Sequence, residues 1–145
     1  HAEIIASGKN IKIVIAYLEG VQVYGDPVRL RQMIWNVVVN GIKYTQHGGE
    51  VKISTRHKGG GVLITIQDNG IGISEEDLPL IFNRFYRVDK ARSRQEGGTG
   101  LGLSICKFIV DAHKGSIDIE SKLGKGTKFK ITLPKPGVLT PQKVG

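Results

Sequence analysis

Apolar and polar positions change period several times along the chain, and each change marks an element. IKIVIAYL (11–18) and VQVY (21–24) are rich in β-branched residues and predict two strands. Asp26-Pro27 then supplies a helix start, with Asp26 as N-cap and Pro27 as the first helical residue. From there Leu30, Met33, Ile34, Val37, Val38 and Gly41 recur at three- and four-residue intervals. That stripe predicts a helix to about Lys43, packed on a sheet. The period next drops to two. In EVKISTRH (50–57), Val51, Ile53 and Thr55 alternate with Lys52, Ser54 and Arg56, as in a half-buried strand. VLITIQD (62–68) is its hairpin partner across Gly59, Gly60 and Gly61. Ser74 to Asp77 reads as an acidic capping box opening a short helix at 75–82. Beyond a basic, glycine-rich segment, Leu103, Ile105, Phe108 and Ile109 have the spacing of a buried face on a helix from about 101 to 113. SIDIES (116–121) and TKFKITL (127–133) end the series as strands, separated by Gly124 and Gly126.

The order is β-β-α-β-β-α-loop-α-β-β, which predicts an α+β domain with helices on one face of a mixed sheet. Residues 1–10 are expected to be a linker remnant. The tail from 135 to 145 lacks periodicity and is expected to be disordered. The 145-residue length fits one domain with a proper core, and no internal repeat is present. The chain begins with His1 rather than Met, so a fragment or processed form is expected. No apolar run reaches membrane-spanning length, and none resembles a signal peptide. The single cysteine, Cys106, excludes an internal disulfide framework, fits a reducing compartment, and on a predicted helix is expected to be a small buried hydrophobe.

The formal charge of +8 favours anionic partners. Arg84, Arg87, Lys90, Arg92 and Arg94 crowd one segment, with only Tyr86 as an interleaved aromatic. That is thin for a base-stacking track and better suited to a focused phosphate site. Directly after it, RSRQEGGTGLGLSIC (92–106) places Gly97, Gly98, Gly100 and Gly102 ahead of a helix. Such glycines suit a hinge, or a helix N-terminus whose amides an anion can approach, whereas an ordinary turn needs only one or two. The dinucleotide fingerprint does not fit, because GTGLG keeps two-residue spacing and follows a charged loop rather than a strand. A phosphate loop ending in Gly-Lys-Ser or Gly-Lys-Thr is absent, and GKGT (124–127) has the wrong spacing for one.

Two further stretches carry candidate chemistry. Arg29, Gln32, Asn36, Asn40 and Lys43 form a polar stripe beside the apolar face of the first helix. A polar face is common to amphipathic helices, yet two asparagines are poor helix formers. An amide carbonyl is a suitable ligand for a magnesium ion held mostly by phosphates and water. In IQDNGIGIS (66–74), Asp68 ends a strand and Gly70 and Gly72 allow close backbone approach. Asp-Asn-Gly suits a simple turn. A carboxylate among glycines equally suits an exocyclic amine such as that of adenine.

NVVVNGIKYT (36–45), DNGIGI (68–73), IFNRFYRVD (81–89), GGTGLGLSI (97–105) and GKGT (124–127) together resemble, in order, the successive boxes of sensor histidine-kinase ATP-binding domains. That family lies in the ATPase superfamily of gyrase, mismatch-repair and heat-shock chaperone ATPases. The resemblance covers roughly residues 11 to 134 and implies a two-layer α/β sandwich of the Bergerat type, with a mostly antiparallel sheet and about three helices on one face. It implies ATP and magnesium as ligands, with Asn40 on the metal, Asn36 nearby, Lys43 on the phosphates and Tyr44 beside the adenine. Asp68 would bond the adenine amine, with Gly70, Gly72 and Ile73 shaping its pocket. Arg84 or Arg87 would face the phosphates. Residues 88 to 99 would form a mobile lid. Gly98, Thr99, Gly100, Leu101, Gly102 and Leu103 would supply its hinge and the phosphate-binding helix start. Gly124, Gly126 and Thr127 would complete the adenine end.

The implied activity is transfer of the γ-phosphoryl group to a histidine on the dimerisation domain of the same kinase, serving a response regulator indirectly. The implied setting is the cytoplasmic portion of a membrane-anchored sensor, with no nucleic-acid partner. Two departures qualify the match. Hydrolytic members of the superfamily carry a glutamate where this chain has Asn36, and an amide cannot act as a general base, so efficient hydrolysis is not expected. No acceptor histidine stands in its usual context either: His1 precedes Ala2-Glu3 at a chain end, His47 and His57 follow no such pattern, and His113 before Lys114-Gly115 reads as a helix cap. The alternatives are a nucleotide-sensing module that closes a lid without transfer, and nucleic-acid binding, which rests on charge alone.

Overall fold

Asp26 starts the first helix, α1 (Pro27–Tyr44), as its sequence implies: its Oδ1 accepts from Val28 N at 2.9 Å and Arg29 N at 3.4 Å. The computed structural model describes residues 2–6, 11–18, 25–46, 48–83 and 102–134. Its other elements are strands β1 (Ala2–Ala6), β2 (Ile11–Leu18), β3 (Glu50–Lys58) and β4 (Gly61–Asp68), helix α2 (Gly102–Ala112), and strands β5 (Ser116–Lys122) and β6 (Gly126–Pro134). The six strands form one sheet in the order β1-β2-β3-β4-β6-β5. Only β2 and β3 run parallel, and α1 lies between them as the crossover such a pair requires. The other pairings are antiparallel. The architecture is α+β, a mixed and mostly antiparallel sheet with α1 and α2 packed on one face.

Alternation along each strand builds the inner face. Ile11 and Ile13, Val51 and Ile53, Val62, Ile64 and Ile66, Phe129, Ile131 and Leu133, and Ile117 and Ile119 meet Met33, Val37 and Val38 of α1 and Cys106, Ile109 and Val110 of α2. Cys106 is fully buried, and that burial pushes its thiol up to about 12, so it behaves as a small hydrophobe.

Three expectations are corrected. Residues 1–10 are more than a linker, because Ala2–Ala6 pairs antiparallel with β2 and satisfies the backbone groups on that side of it. The segment 75–82 is no α-helix but turns around a short 3-10 element, Leu78–Leu80. Ser74 Oγ does accept from Asp77 N at 3.2 Å as in a capping box, yet Pro79 has no N–H to continue the ladder. Phe108 is 73% exposed instead of buried, because two residues past Cys106 lies roughly 200° round the helix. The expected strand 21–24 and the tail 135–145 fall outside the described residues.

The two helices are antiparallel neighbours, bonded to each other at both ends of α2. At one end His113, just beyond α2, has Nδ1 2.8 Å from Ile109 O and accepts from Asp26 N through Nε2 at 3.1 Å. The capping role expected of His113 thus extends to the start of α1. At the other end Asn36 Nδ2 donates to Gly102 O at 3.2 Å, tying the middle of α1 to the first residue of α2.

Gly41 lies in the α1 interior against the sheet. A Cβ there would sit 3.4 Å from Val51 Cγ2 and 3.5 Å from Asp68 Oδ2, ordinary contact distances. Gly41→Ala is therefore expected to raise stability by about 0.5–1 kcal/mol, since alanine loses less chain entropy in a helix. Urea denaturation checks this, and a lower midpoint would show that the position cannot take even a methyl group.

Candidate functional site

The strand period that buries Val62, Ile64 and Ile66 also brings Asp68, the last residue of β4, onto the inner face, where it is 8% exposed. It pairs in register with Val51 on one side and Thr127 on the other. Asp68 Oδ1 accepts from Gly70 N at 2.8 Å and from Thr127 N at 3.3 Å. Burial pushes the carboxyl above its ordinary value, and the two N–H donors partly offset that by favouring the charged form. Among the described residues no hydrogen bond reaches Oδ2. The carboxylate is thus held by one oxygen and offers the other.

The chain beyond Asp68 is stitched on both sides. Ile71 N donates to Tyr44 O at 3.1 Å at the end of α1, and Gly124 N donates to Ile71 O at 2.9 Å from the β5–β6 turn. Ile73 N donates to Ser121 Oγ at 2.7 Å. Three glycines make these approaches possible, and a Cβ on Gly72, at φ +78, would fall 2.2 Å from Lys122 O. A Cβ on Gly70 would fall 2.3 Å from Tyr44 O, and one on Gly126, at φ +121, would fall 2.1 Å from Asp68 O. Gly72 and Thr127 are buried within the same cluster, while Gly124 is exposed at the hairpin tip. Asn69 has a structural part: its Oδ1 accepts from Glu50 N at 2.8 Å and extends the β3–β4 pairing.

Asn36, Asn40 and Lys43 lie along α1, and all three are half-buried. Asn36 commits its amide to Gly102. One turn on, the Asn40 amide has no hydrogen bond among the described residues. Lys43 Nζ lies 5.9 Å from the Tyr44 ring centre, and Tyr44 itself is half-buried. Gly102 begins α2, with Leu103 half-buried behind it. Arg84, Arg87, Gly98, Thr99, Gly100 and Leu101 lie outside the described residues, as does the expected lid at 88–99.

Asp68, Gly70, Gly72, Ile73, Thr127 and the Tyr44 carbonyl therefore form one connected cluster, bordered by α1. Sequence reasoning missed two members. Gly41 counted only as an apolar position, yet it faces Asp68 Oδ2. Ser121 was overlooked, although a polar residue following Ile117 and Ile119 at two-residue spacing, just before a glycine turn, is a readable signal.

Among the described residues no group of three or more His, Cys, Asp and Glu could hold a metal, and no helix is long and apolar enough to cross a membrane. A metal at this site would need oxygens from a ligand in addition to the Asn40 carbonyl, which fits magnesium carried by phosphates.

Residues 25–137 match the family model described as histidine kinase-, DNA gyrase B-, and HSP90-like ATPase, and the chain belongs to that family. It is 43% identical over 133 residues to the sensor-like histidine kinase SenX3 of Mycolicibacterium smegmatis, covering 92% of this chain and 35% of that protein. It is 48% identical over 111 residues to the sensor protein SrrB of Staphylococcus aureus, covering 77% of this chain and 19% of that one. The chain thus spans about a third or less of these relatives. Among solved structures, a mycobacterial sensor histidine kinase, MprB, aligns with a TM-score of 0.75 at 30% identity, over 86% of this chain and 81% of that one. Full-length ShkA in complex with AMPPNP aligns at 0.73 and 30% identity, over 87% of this chain and 26% of that one. Within the family, the chain is a catalytic ATP-binding domain of the histidine-kinase type.

Proposed function

We propose that this domain binds magnesium-ATP and transfers the γ-phosphoryl group to a histidine on a separate dimerisation domain of the same kinase, which in turn serves a response regulator. The observation that carries this reading is Asp68, a carboxylate fixed through Oδ1 with Oδ2 left for a ligand donor. Such a group accepts from an exocyclic amine like that of adenine, with Gly70, Gly72, Ile73 and Thr127 around the base and Tyr44 beside it. Asn40 would hold the metal, and Lys43 would approach the phosphates along the same helix. The metal, when bound, neutralises charge on the phosphates during transfer. Arg84 or Arg87, and the glycine segment ending at Gly102, would complete phosphate binding. We place the domain in the cytoplasmic portion of a membrane-anchored sensor.

Asn36 fits a kinase better than a hydrolase. Its amide donates to a backbone carbonyl and has no basic atom to take a proton from water. ATP should therefore persist in the site until an acceptor arrives.

The chain should bind ATP by calorimetry and pass radiolabelled phosphate to a supplied acceptor domain, giving an acid-labile product. ATP binding without transfer would favour the nucleotide-sensing alternative. Asn40→Ala should weaken binding in magnesium by about tenfold, the loss expected for one polar contact, and change it little in excess chelator. Equal loss in both conditions would mean that Asn40 serves the fold and not the metal.

A further inference from the structure

Ser121 stands at the inward-facing end of β5, and its Oγ meets three polar atoms. Ile73 N lies at 2.7 Å, Gly126 O at 3.0 Å and Thr127 Oγ1 at 2.8 Å. A serine hydroxyl has one proton and two lone pairs. The Ile73 amide can only donate and the Gly126 carbonyl can only accept. All three contacts are satisfied together when the Ser121 proton goes to Gly126 and one lone pair takes the Ile73 N–H. The remaining lone pair faces Thr127, so the Thr127 proton must point at Ser121. Thr127 Oγ1 then has only lone pairs to offer anything else. Opposite Thr127 in the β4–β6 register lies Asp68, whose Oδ1 is filled and whose Oδ2, when the carboxyl is ionised, is likewise an acceptor. Both side chains at this end of the site accept, and neither donates.

We propose that Ser121 is a specificity-determining positioning residue: by holding the Thr127 proton, it keeps the Asp68–Thr127 end acceptor-only and selects a purine with a 6-amino group over one with a 6-keto oxygen. This rests on the nucleotide-binding reading above. An amino group carries two N–H donors for two acceptors, whereas a keto oxygen in its place brings lone pairs against lone pairs, and the neighbouring N1 proton can serve only one of the two acceptors. Ser121 touches no ligand in this scheme and acts only through Thr127.

Inosine triphosphate is the probe, since its base differs from that of ATP only in the 6-keto group and the accompanying N1 proton. Calorimetry with both nucleotides should show the wild-type chain preferring ATP. In Ser121→Ala the Thr127 hydroxyl can rotate and donate to the keto oxygen, so the preference should shrink about five- to tenfold, the weight of one hydrogen bond. Ser121→Thr keeps the oxygen and should keep the preference. Simple loosening of the 70–73 loop would weaken both nucleotides in proportion and leave their ratio alone, so an unchanged ratio in Ser121→Ala overturns the proposal. Should Ser121→Ala fail to fold for want of a partner for Ile73 N, Thr127→Val removes the acceptor and leaves that bond intact. Its ratio should also shrink, and an unchanged one again overturns the proposal. A wild-type chain that binds neither nucleotide would instead sink the nucleotide-binding reading itself, and this inference with it.

Discussion

Asp68→Asn is expected to cost most of the nucleotide affinity while leaving the free domain at least as stable. Asparagine can keep the Oδ1 acceptor for Gly70 N and Thr127 N but puts an NH₂ group where Oδ2 stood. A ligand amine would then meet a donor. Loss of a hydrogen bond to a charged acceptor is worth about 1.5–3 kcal/mol, roughly ten- to hundredfold in affinity. ATP and ADP share the base, so calorimetry should show both weakened alike, and undiminished ADP binding would remove Asp68 from the site. Stability should move the other way. Burial raises the Asp68 carboxyl, so the folded chain holds that proton to higher pH than the unfolded chain. The contribution of this group to stability therefore falls as pH climbs from the ordinary carboxylate value, about 4, through the raised one. The asparagine variant lacks that slope. Denaturation midpoints from about pH 4 to neutrality should thus decline less in the variant than in the wild type.

Gly126→Ala should have a large effect on the fold itself. The residue sits at φ +121, and an added Cβ would lie 2.1 Å from Asp68 O and 2.9 Å from Asn69 Cα. Both obstacles are backbone, so neither can swing aside. Left-handed strain of about 1–2 kcal/mol and overpacking of about 1–3 kcal/mol together give a loss of about 2–5 kcal/mol. That is a large share of the roughly 5–15 kcal/mol that holds a domain folded. Gly124→Ala is the matched control. Gly124 is also at positive φ, +82, but nothing lies within 4 Å of its would-be Cβ, so only the strain should appear. Urea denaturation of the two variants separates the terms, and equal losses would mean that the close approach to Asp68 does not limit the fold.

Where local chemistry decides an outcome, the sequence was enough to read it. Asp26-Pro27 starts α1 because a carboxylate and a residue without an N–H suit a helix N-terminus wherever it lies. Period-two alternation identified β3 because a strand buried on one face imposes it, and the glycines at 59–61 identified β4 as its hairpin partner. Misreadings arose where a pattern had competition from its neighbours. The capping box at Ser74 is real at its first bond, and Pro79 stops what it begins. The apolar spacing that includes Phe108 fits a helix face, but Cys106, Ile109 and Val110 take the side toward the sheet and turn Phe108 outward. Ala2–Ala6 has too few residues to show a period and becomes a strand only because β2 offers an edge.

By itself the sequence determined the α+β class, the order of β2, α1, β3, β4, α2, β5 and β6, and the candidates Asn36, Asn40, Lys43 and Asp68, because residue type and spacing suffice for these, whereas Thr127 entered only through the family resemblance. Only the tertiary structure decided how those residues divide the work. Asn36 and Asn40 are one helical turn apart and chemically identical, yet Asn36 is bound to Gly102, 66 positions away, while the Asn40 amide has no such partner among the described residues. Asp68 reads in sequence as a turn residue or a ligand acceptor. Strand register placed Thr127 opposite it, and two N–H groups occupy one oxygen and leave the other. Ser121 carries no signal beyond its parity in a strand until the β5–β6 hairpin and the 70–73 loop converge on its hydroxyl. Hydrogen-bond polarity depends on which atoms meet, and for residues 48 to 66 positions apart only the folded chain brings them together.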